Sequence, residues 1–173
     1  MSTSTSASSR DSQQVGREAL QIAWIDSPVG LLRAGASNSA LHTLQFVNGT
    51  QQHESASSPI LEQTRRELAD YFAGRRRVFE VPLSFAASPF QRRVWNALLT
   101  IGYGERVSYL EQARMVGDEL AIRAVAQANG RNPLVILVPC HRVINSDGKL
   151  GGFGGGLLRK QYLLDLERGD RLL

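Results

Sequence analysis

The sequence predicts an α+β protein, with a small N-terminal antiparallel sheet under one covering helix and a mainly helical C-terminal domain that contains a helix-turn-helix. Three observations support this fold class. Short β-branched or alternating segments come first, a helix that begins at a proline comes next, and two short helices joined around a glycine follow in the second half. With 173 residues, the chain can bury a hydrophobic core as one domain, or as one with a smaller companion.

The first half divides into a polar tail and a small α/β domain. Residues 1–16 are rich in Ser, Thr and Gln and lack apolar periodicity, which predicts a disordered tail before a domain over 17–84. Turn-forming Ser, Pro, Gly and Asn residues separate three predicted strands, at 20–25, 30–36 and 40–47. Ser58 and Pro59 then begin a helix that ends at Gly74, and its apolar spacing indicates that it covers the sheet.

A connector over 78–87 leads into the second predicted domain, residues 85–173. That half carries 12 basic and 8 acidic side chains, whereas residues 1–84 carry 8 of each, so the net charge of +4 lies entirely in the second half. A mildly basic domain favours a polyanion as partner, although so small a charge is also typical of an ordinary solvated surface. The motif Ser-Pro-Phe-Gln at 88–91 supplies an N-cap, a first-turn proline and a capping-box Gln, which predicts a helix over 89–101.

Two further helices have the outline of a helix-turn-helix. Ser108 and Glu111 form a capping box for a short helix that stops at Gly117, and Asp118 is the predicted cap of a second helix that ends at Gly130. The same outline is common in helical proteins that do not bind DNA. DNA binding therefore needs further support.

The second of these helices lacks the long side chains with which a recognition helix contacts base edges in the major groove. Ala121, Ala124 and Ala128 lie at i, i+3 and i+7, a small-residue stripe that suits either a narrow groove or ordinary tight packing. Arg123 is the only cation in this segment. If the helix meets DNA, Arg123 is the candidate to enter the base stack.

The composition excludes several classes of protein. A single cysteine rules out an intramolecular disulfide framework, and three scattered histidines do not form a Cys/His zinc site, so we expect no metal. The longest aliphatic run, at 134–138, has five residues, against the ~20 that a membrane span needs. No secretory signal is recognisable near Met1. We therefore expect a cytoplasmic protein without membrane contact.

The cysteine lies in a segment with the composition of a reactive site. The run at 134–138 predicts a buried strand that leads into the motif Pro-Cys-His-Arg-Val-Ile at 139–144. A lone cysteine is by default an inert core residue, whereas a neighbouring His141 and Arg142 are expected to lower the pKa of its thiol. In an extended chain Cys140 and His141 point to opposite faces, so they can cooperate only if the chain bends there or a water molecule bridges them.

This segment resembles the active-site region of the O6-alkylguanine-DNA alkyltransferases, a family of DNA-repair proteins. The resemblance covers roughly half the chain in the family's order and spacing. It is carried by the motifs Pro89-Phe90-Gln91, Tyr103-Gly104-Glu105, Val107-Ser108-Tyr109, Arg123-Ala124-Val125, Asn129-Gly130-Arg131-Asn132-Pro133, Pro139-Cys140-His141-Arg142-Val143-Ile144, the glycines at 151–156, and Lys160, Leu163, Leu164 and Glu167. It implies a ribonuclease H-like N-terminal domain and a winged-helix-like C-terminal domain.

The resemblance also implies a reaction and its residues. Cys140 would accept the alkyl group by direct, irreversible displacement, once per molecule and without a cofactor. His141 would act through a water molecule as the base, and Glu167 would orient it. Asn132 would tie the helix-turn-helix to the cysteine segment, and Tyr109 would donate its proton toward N3 of the guanine.

The implied partner is duplex DNA that contains O6-alkylguanine, with O4-alkylthymine as a second candidate substrate. A monomer would bind the minor groove, singly or cooperatively, through Tyr109, Ala121 and Ala124, while Arg123 would take the place of the flipped nucleotide. The residues expected to line the substrate pocket are Val143, Phe153, Gly154 and Gly155. Gly154 stands where some members carry a serine that contacts O6, so a backbone amide is expected to take that role.

Two other functions stay open at this stage. An alkyltransferase-like protein would bind the lesion without transferring its alkyl group, but relatives of that kind replace the cysteine that this chain retains. A helix-turn-helix regulator with a redox thiol would bind one DNA sequence in preference to others.

Overall fold

The computed structural model describes residues 18–49 and 54–169, and it confirms the α+β architecture. The predicted tail at 1–16 lies outside the described residues. The strands are β1 (Gln21–Ile25), β2 (Leu32–Ala36), β3 (Leu41–Phe46), β4 (Val107–Ser108) and β5 (Val143–Ile144), and the helices are α1 (Pro59–Phe72), α2 (Pro89–Leu99), α3 (Tyr109–Met115), α4 (Ile122–Gly130) and α5 (Leu157–Arg168). Among these helices, none has both the length and the apolar character of a membrane span.

The N-terminal sheet has the three predicted strands in the order β1-β2-β3, all antiparallel. Helix α1 packs against β2 and β3, as its apolar stripe predicts. Ser58 caps this helix by accepting a hydrogen bond from the Leu61 amide at 3.3 Å. The helix ends before Gly74, which has a φ of 74°, a conformation that glycine adopts without strain.

Both predicted capping boxes of the C-terminal half are present, at Ser88 with Gln91 and at Ser108 with Glu111. Helix α2 ends at Leu99, two residues before its predicted end at 101. The Thr100 hydroxyl donates to the Ala97 carbonyl at 2.7 Å, a side-chain bond that satisfies one of the last carbonyls of the helix.

Helices α3 and α4 form the predicted helix-turn-helix. Gln112 on α3 and Asn129 on α4 exchange two amide hydrogen bonds, of 2.9 and 2.7 Å, in a buried position. Trp95 on α2 donates its indole N–H to the Ala128 carbonyl at 2.9 Å. These buried polar contacts fix α4 against both neighbouring helices, because breaking any of them leaves an unsatisfied buried group.

The prediction that Asp118 caps the fourth helix is wrong. Helix α4 begins at Ile122, and its N-cap Ala121 makes no side-chain capping bond. Asp118 instead accepts a hydrogen bond from the Leu120 amide at 3.0 Å, within the turn that precedes the helix. An Asp two residues before an amide satisfies a local turn as readily as a helix end, which is why the two patterns are hard to distinguish.

The predicted buried strand at 134–138 is also wrong, because this segment is a succession of turns. Leu134 forms a single bridge with Leu44 of β3, in which the Val135 amide donates to the Leu44 carbonyl at 3.0 Å. Ile136 then adopts a φ of 73°, which no strand residue has. The apolar run is buried as expected, but it turns inside the core instead of extending across it.

One hydrophobic core runs through both halves of the chain. Strand β3 holds them together, because its backbone bonds to two other segments. The Leu41 amide donates to Pro82 of the connector at 2.8 Å, and the Leu44 amide donates to Pro133, just before the cysteine segment, also at 2.8 Å. The N-terminal sheet therefore supports the cysteine segment directly.

Candidate active site

Cys140 lies where the chain bends. Residues Cys140–Arg142 form one turn of 3-10 helix after Pro139, so Cys140 and His141 are not in an extended segment. The Cys140 side chain lines a pocket of about 380 Å³, although the residue is only 7% exposed. A pocket of this size lies in the range of small-molecule sites.

The expectation that His141 and Arg142 lower the pKa of the thiol is wrong. Burial raises the pKa of Cys140, and the opposing effects of Asn132 and Lys160 do not cancel it. The guanidinium of Arg142 binds Glu167 instead of the sulfur. The resting thiol is therefore protonated at neutral pH and needs a base to become nucleophilic.

Asn132 joins the end of the helix-turn-helix to the cysteine segment. Its Nδ2 donates to the Val138 carbonyl at 2.7 Å and to the sulfur of Cys140 at 3.2 Å. Its Oδ1 accepts from the Leu134 amide at 2.9 Å. One buried amide thus fixes the turns before the cysteine and contacts the sulfur itself.

His141 follows the cysteine in the chain, is fully buried, and is bound on one side by Glu167. The distance between His141 Nε2 and Glu167 Oε1 is 2.8 Å. Since an ionised carboxylate can only accept, Nε2 carries the hydrogen and Nδ1 keeps its lone pair. Nδ1 has no hydrogen-bond partner among the described residues. Burial lowers the pKa of His141, so the ring is neutral and Nδ1 can accept a proton.

Glu167, on α5, is the centre of a buried group of donors. Arg142 holds both of its oxygens, with Nε at 2.9 Å from Oε2 and Nη2 at 2.9 Å from Oε1. Tyr71 of α1 donates its hydroxyl to Oε1 at 2.8 Å. Burial alone raises the pKa of this carboxyl, but the hydrogen bonds from His141 and Arg142 outweigh it and lower the pKa to about 2.

Tyr109 and Lys160 also lie close enough to the cysteine to interact with it electrostatically. The Tyr109 hydroxyl donates to the Gly152 carbonyl at 3.2 Å, and the residue borders the pocket. Lys160 is fully buried, and its Nζ donates to the carbonyls of Val143 at 2.6 Å and Gly152 at 3.3 Å. Burial lowers the pKa of Lys160 to about 8. No sequence pattern predicted a role for this lysine.

Two of the four residues predicted to line the pocket do so. Phe153 and Gly154 line the pocket, and Arg123 stands on α4 beside it. Val143 does not, because it is fully buried in β5. Gly155 also lies outside the wall, packed so closely that a Cβ there would lie 2.6 Å from the ring of Phe46. The remaining lining residues were not expected, and they are Ile122, Ala126, Asn129, Gly130, Asn145 and Gly152.

Helical spacing could have predicted three of these six lining residues. Ile122, Ala126 and Asn129 lie at i, i+4 and i+7, so they share the face of α4 that Arg123 adjoins. The small-residue stripe is divided instead: Ala124 is exposed, Ala121 is half-buried and Ala128 is buried. No local pattern points to Asn145, which the fold brings in from the loop after β5.

Known proteins of similar sequence identify the family of this chain. The methylated-DNA–protein-cysteine methyltransferase of Mycolicibacterium paratuberculosis is 48% identical over 150 residues, which cover 83% of this chain and 90% of that protein. Family models for the ribonuclease-like domain and the DNA-binding domain of 6-O-methylguanine DNA methyltransferase match residues 21–85 and 89–169. The chain belongs to this methyltransferase family.

Solved structures of the methyltransferase family agree with the fold. The crystal structure of Mycobacterium tuberculosis O6-methylguanine methyltransferase superposes with a TM-score of 0.79 at 43% identity, covering 88% of this chain and 95% of that one. A structure of the M. tuberculosis protein OGT in complex with DNA also has a TM-score of 0.79, at 45% identity, covering 86% and 92% of the two chains. The sheet-plus-helix domain and the helical domain therefore have the arrangement of known methyltransferases.

Proposed function

We propose that this protein repairs alkylated DNA by transferring the alkyl group of O6-alkylguanine to Cys140, irreversibly and once per molecule. One observation carries the proposal: a protonated thiol borders an open pocket, and a buried, neutral histidine bound to a carboxylate stands directly after it in the chain. A protonated thiol needs a base before it can act as a nucleophile, and a neutral imidazole whose Nδ1 lone pair is free among the described residues can be that base.

The first step is proton transfer away from Cys140. A water molecule takes the thiol proton and passes one to His141 Nδ1, which is unpartnered among the described residues and holds a lone pair. The resulting imidazolium is stabilised by the charge of Glu167, 2.8 Å from Nε2. The thiolate is stabilised in turn by the Asn132 amide at 3.2 Å.

The second step is displacement at the alkyl carbon. A bond forms between Cys140 sulfur and that carbon while the bond from the carbon to O6 breaks, and the electron pair stays on the guanine. Tyr109 borders the same pocket and supplies a proton toward N3, which makes guanine a better leaving group. The product is a stable thioether, so the protein is consumed by one reaction.

The target base has to leave the duplex before either step, because a base inside the stack cannot reach a buried sulfur. We propose that α4 enters the minor groove, with exposed Ala124 allowing close approach. Arg123 is exposed beside the pocket and fills the gap that the flipped nucleotide leaves. The basic C-terminal half attracts phosphates without reading sequence, as a search for damaged guanines requires.

We propose further that the protein acts as a monomer in the cytoplasm, where reducing conditions keep a single thiol free. The two alternatives from the sequence are less well supported. A lesion-binding protein has no need of the thiol that this pocket retains together with its buried base. A sequence-specific regulator needs long side chains on α4, and Arg123 is the only long basic side chain there.

Intact-protein mass spectrometry tests the proposed function. Incubation with duplex DNA that contains one O6-methylguanine is expected to add the mass of one methyl group, and peptide mapping is expected to locate it on Cys140. Undamaged duplex of the same sequence is the control. An unchanged mass with folded protein and bound DNA would instead identify a lesion-binding protein.

Replacing Arg123 with alanine is expected to slow methyl transfer from duplex DNA about a hundredfold, because the flipped state then loses the side chain that fills the stack. Reaction with free O6-benzylguanine is expected to stay within about twofold, since a free base needs no flipping. Single-turnover rates with both substrates check this separation.

The matched control for this variant is Arg66→Ala, which removes the same charge from the exposed surface of α1. It is expected to leave both rates unchanged. Equal losses on duplex and free base in Arg123→Ala would contradict the flipping role and assign Arg123 to the pocket wall instead.

A further inference from the structure

One side chain of the N-terminal domain reaches the buried acid of the site. Tyr71 lies on α1, is fully buried, and donates its hydroxyl to Glu167 Oε1 at 2.8 Å across 96 residues of sequence. Oε1 is the oxygen that His141 Nε2 also contacts, at 2.8 Å. Tyr71, Glu167 and His141 therefore form one continuous hydrogen-bonded chain that ends beside Cys140.

We propose that Tyr71 is a positioning residue for alkyl transfer, which fixes the carboxylate of Glu167 and, through it, the ring of His141. This inference rests on the proposed function, because it assigns a role within that reaction. It gives the N-terminal domain a direct part in the chemistry, beyond supporting the fold.

The donors around Glu167 show what Tyr71 adds. Arg142 binds both carboxylate oxygens with Nε and Nη2, each at 2.9 Å, and so fixes the plane of the group. The Gly104 amide adds a longer contact to Oε2, at 3.4 Å, and so does not touch the oxygen that His141 binds. The Tyr71 hydroxyl comes from a different element, α1, and donates to Oε1, the oxygen that His141 also contacts.

The tyrosine is itself held in place. Its ring packs against Phe72 and Phe79, with centroids 5.3 Å away in both cases, and meets the Tyr103 ring edge-on at 6.1 Å. Burial, and next the charge of Glu167, raise the pKa of Tyr71 well above its usual value. The hydroxyl therefore stays protonated at neutral pH and remains a hydrogen-bond donor.

The position of this donor has an electrostatic consequence for the base. A donor on Oε1 withdraws electron density from the oxygen that stabilises protonated His141, so it moderates the proton affinity of the ring. The other charged or titratable groups that affect this ring are Arg142 and Lys160, which disfavour its protonation, and Glu167 itself, which favours it. Removing the Tyr71 hydroxyl is therefore expected to raise the pKa of His141.

Replacing Tyr71 with phenylalanine tests the proposal, because it keeps the ring and removes the hydroxyl. The single-turnover rate with duplex O6-methylguanine is expected to fall about tenfold at neutral pH, while the Kd for that DNA stays unchanged. The acid limb of the pH–rate profile is expected to move to higher pH, because His141 must be neutral to accept a proton.

Tyr103→Phe is the matched control. Its hydroxyl also lies beside α5, but it points to the Leu166 carbonyl at 3.5 Å and not to the carboxylate. We expect this variant to keep the wild-type rate and pH profile. A purely structural role for Tyr71 would lower the stability of Tyr71→Phe and leave the midpoint of the acid limb where it is, and that result would overturn the proposal.

NMR separates failure of this inference from failure of the proposed function. The titration of His141 can be followed in folded protein without any substrate, and its midpoint is expected to be higher in Tyr71→Phe. If that variant does not fold, the wild-type Tyr71 hydroxyl proton is expected as a slowly exchanging signal that correlates with the His141 ring. Absence of that signal would overturn the positioning role, whereas a wild type that takes up no methyl group would overturn the proposed reaction alone.

Discussion

Replacing Cys140 with serine will abolish methyl transfer, with a loss of at least about a thousandfold in the single-turnover rate. A serine hydroxyl is a much weaker acid and a weaker nucleophile than a thiol, and His141 is a base suited to a thiol. The change is nearly isosteric, and Asn132 can donate to the new oxygen as it does to the sulfur at 3.2 Å. The free energy of unfolding should therefore change by no more than about 1 kcal/mol.

The measurement combines intact mass with DNA affinity. Cys140→Ser is expected to bind duplex O6-methylguanine as tightly as the wild type and to show no mass gain. Since the chain has one cysteine, no other thiol can substitute for it. A methyl adduct on Cys140→Ser would place the nucleophile elsewhere and contradict the mechanism.

Replacing Glu167 with glutamine will impair both the reaction and the fold. An amide nitrogen at either position faces a donor, because Oε1 accepts from Tyr71, His141 and Arg142 while Oε2 accepts from Arg142 and from the Gly104 amide. Arg142, whose side chain is only 8% exposed, also loses its counter-ion. Removing one partner of a buried ion pair is strongly destabilising, so we expect a loss of about 3 kcal/mol at pH 7. The transfer rate is expected to fall about a hundredfold or more, while the affinity for DNA stays nearly unchanged.

The stability loss should depend on pH in a defined direction. The pKa of Glu167 is lowered from 4.5 to about 2 in the folded protein, so the unfolded chain binds this proton more tightly. The stabilisation by the carboxylate is therefore complete above about pH 4.5 and is lost as the pH falls toward about 2. Denaturation curves of wild type and Glu167→Gln should converge over that interval.

Asp165→Asn is the control for this variant. It changes an acid to its amide on the same helix, at a side chain that is 22% exposed and pairs with Arg168. Surface pairs contribute little, so we expect a change below about 1 kcal/mol and an unchanged transfer rate. If Glu167→Gln matched this control in stability and rate, the buried group of donors would not have the importance that its geometry indicates.

Local sequence patterns predicted much of the fold. The predictions failed where contacts between residues distant in the sequence determine the backbone conformation. Capping boxes at Ser88 and Ser108 are written in four consecutive residues, and both helices begin where they indicate. The run at 134–138 is apolar enough for a strand, but Asn132 and the single bridge to Leu44 bend it into turns. The sequence of residues 134–138 alone does not reveal either of these contacts.

The active site was also only partly predictable from neighbouring residues in the sequence. The motif around Cys140 pointed to a reactive thiol, but the direction of its pKa shift depends on burial, which neighbouring letters do not report. Arg142 follows the cysteine by two positions and yet serves Glu167 on another helix. No sequence signal points to Tyr71 as part of the site, because its contact with Glu167 joins residues that are 96 positions apart in the chain.

The burial of Cys140 also affects how long an unreacted molecule stays active. Small oxidants and soluble alkylating agents react with exposed thiolates, and this sulfur is both shielded and protonated at rest. In the proposed mechanism the cysteine is ionised only with the help of His141. For a protein that is consumed in one reaction, burial and protonation of the thiol protect it from small electrophiles before it meets its substrate.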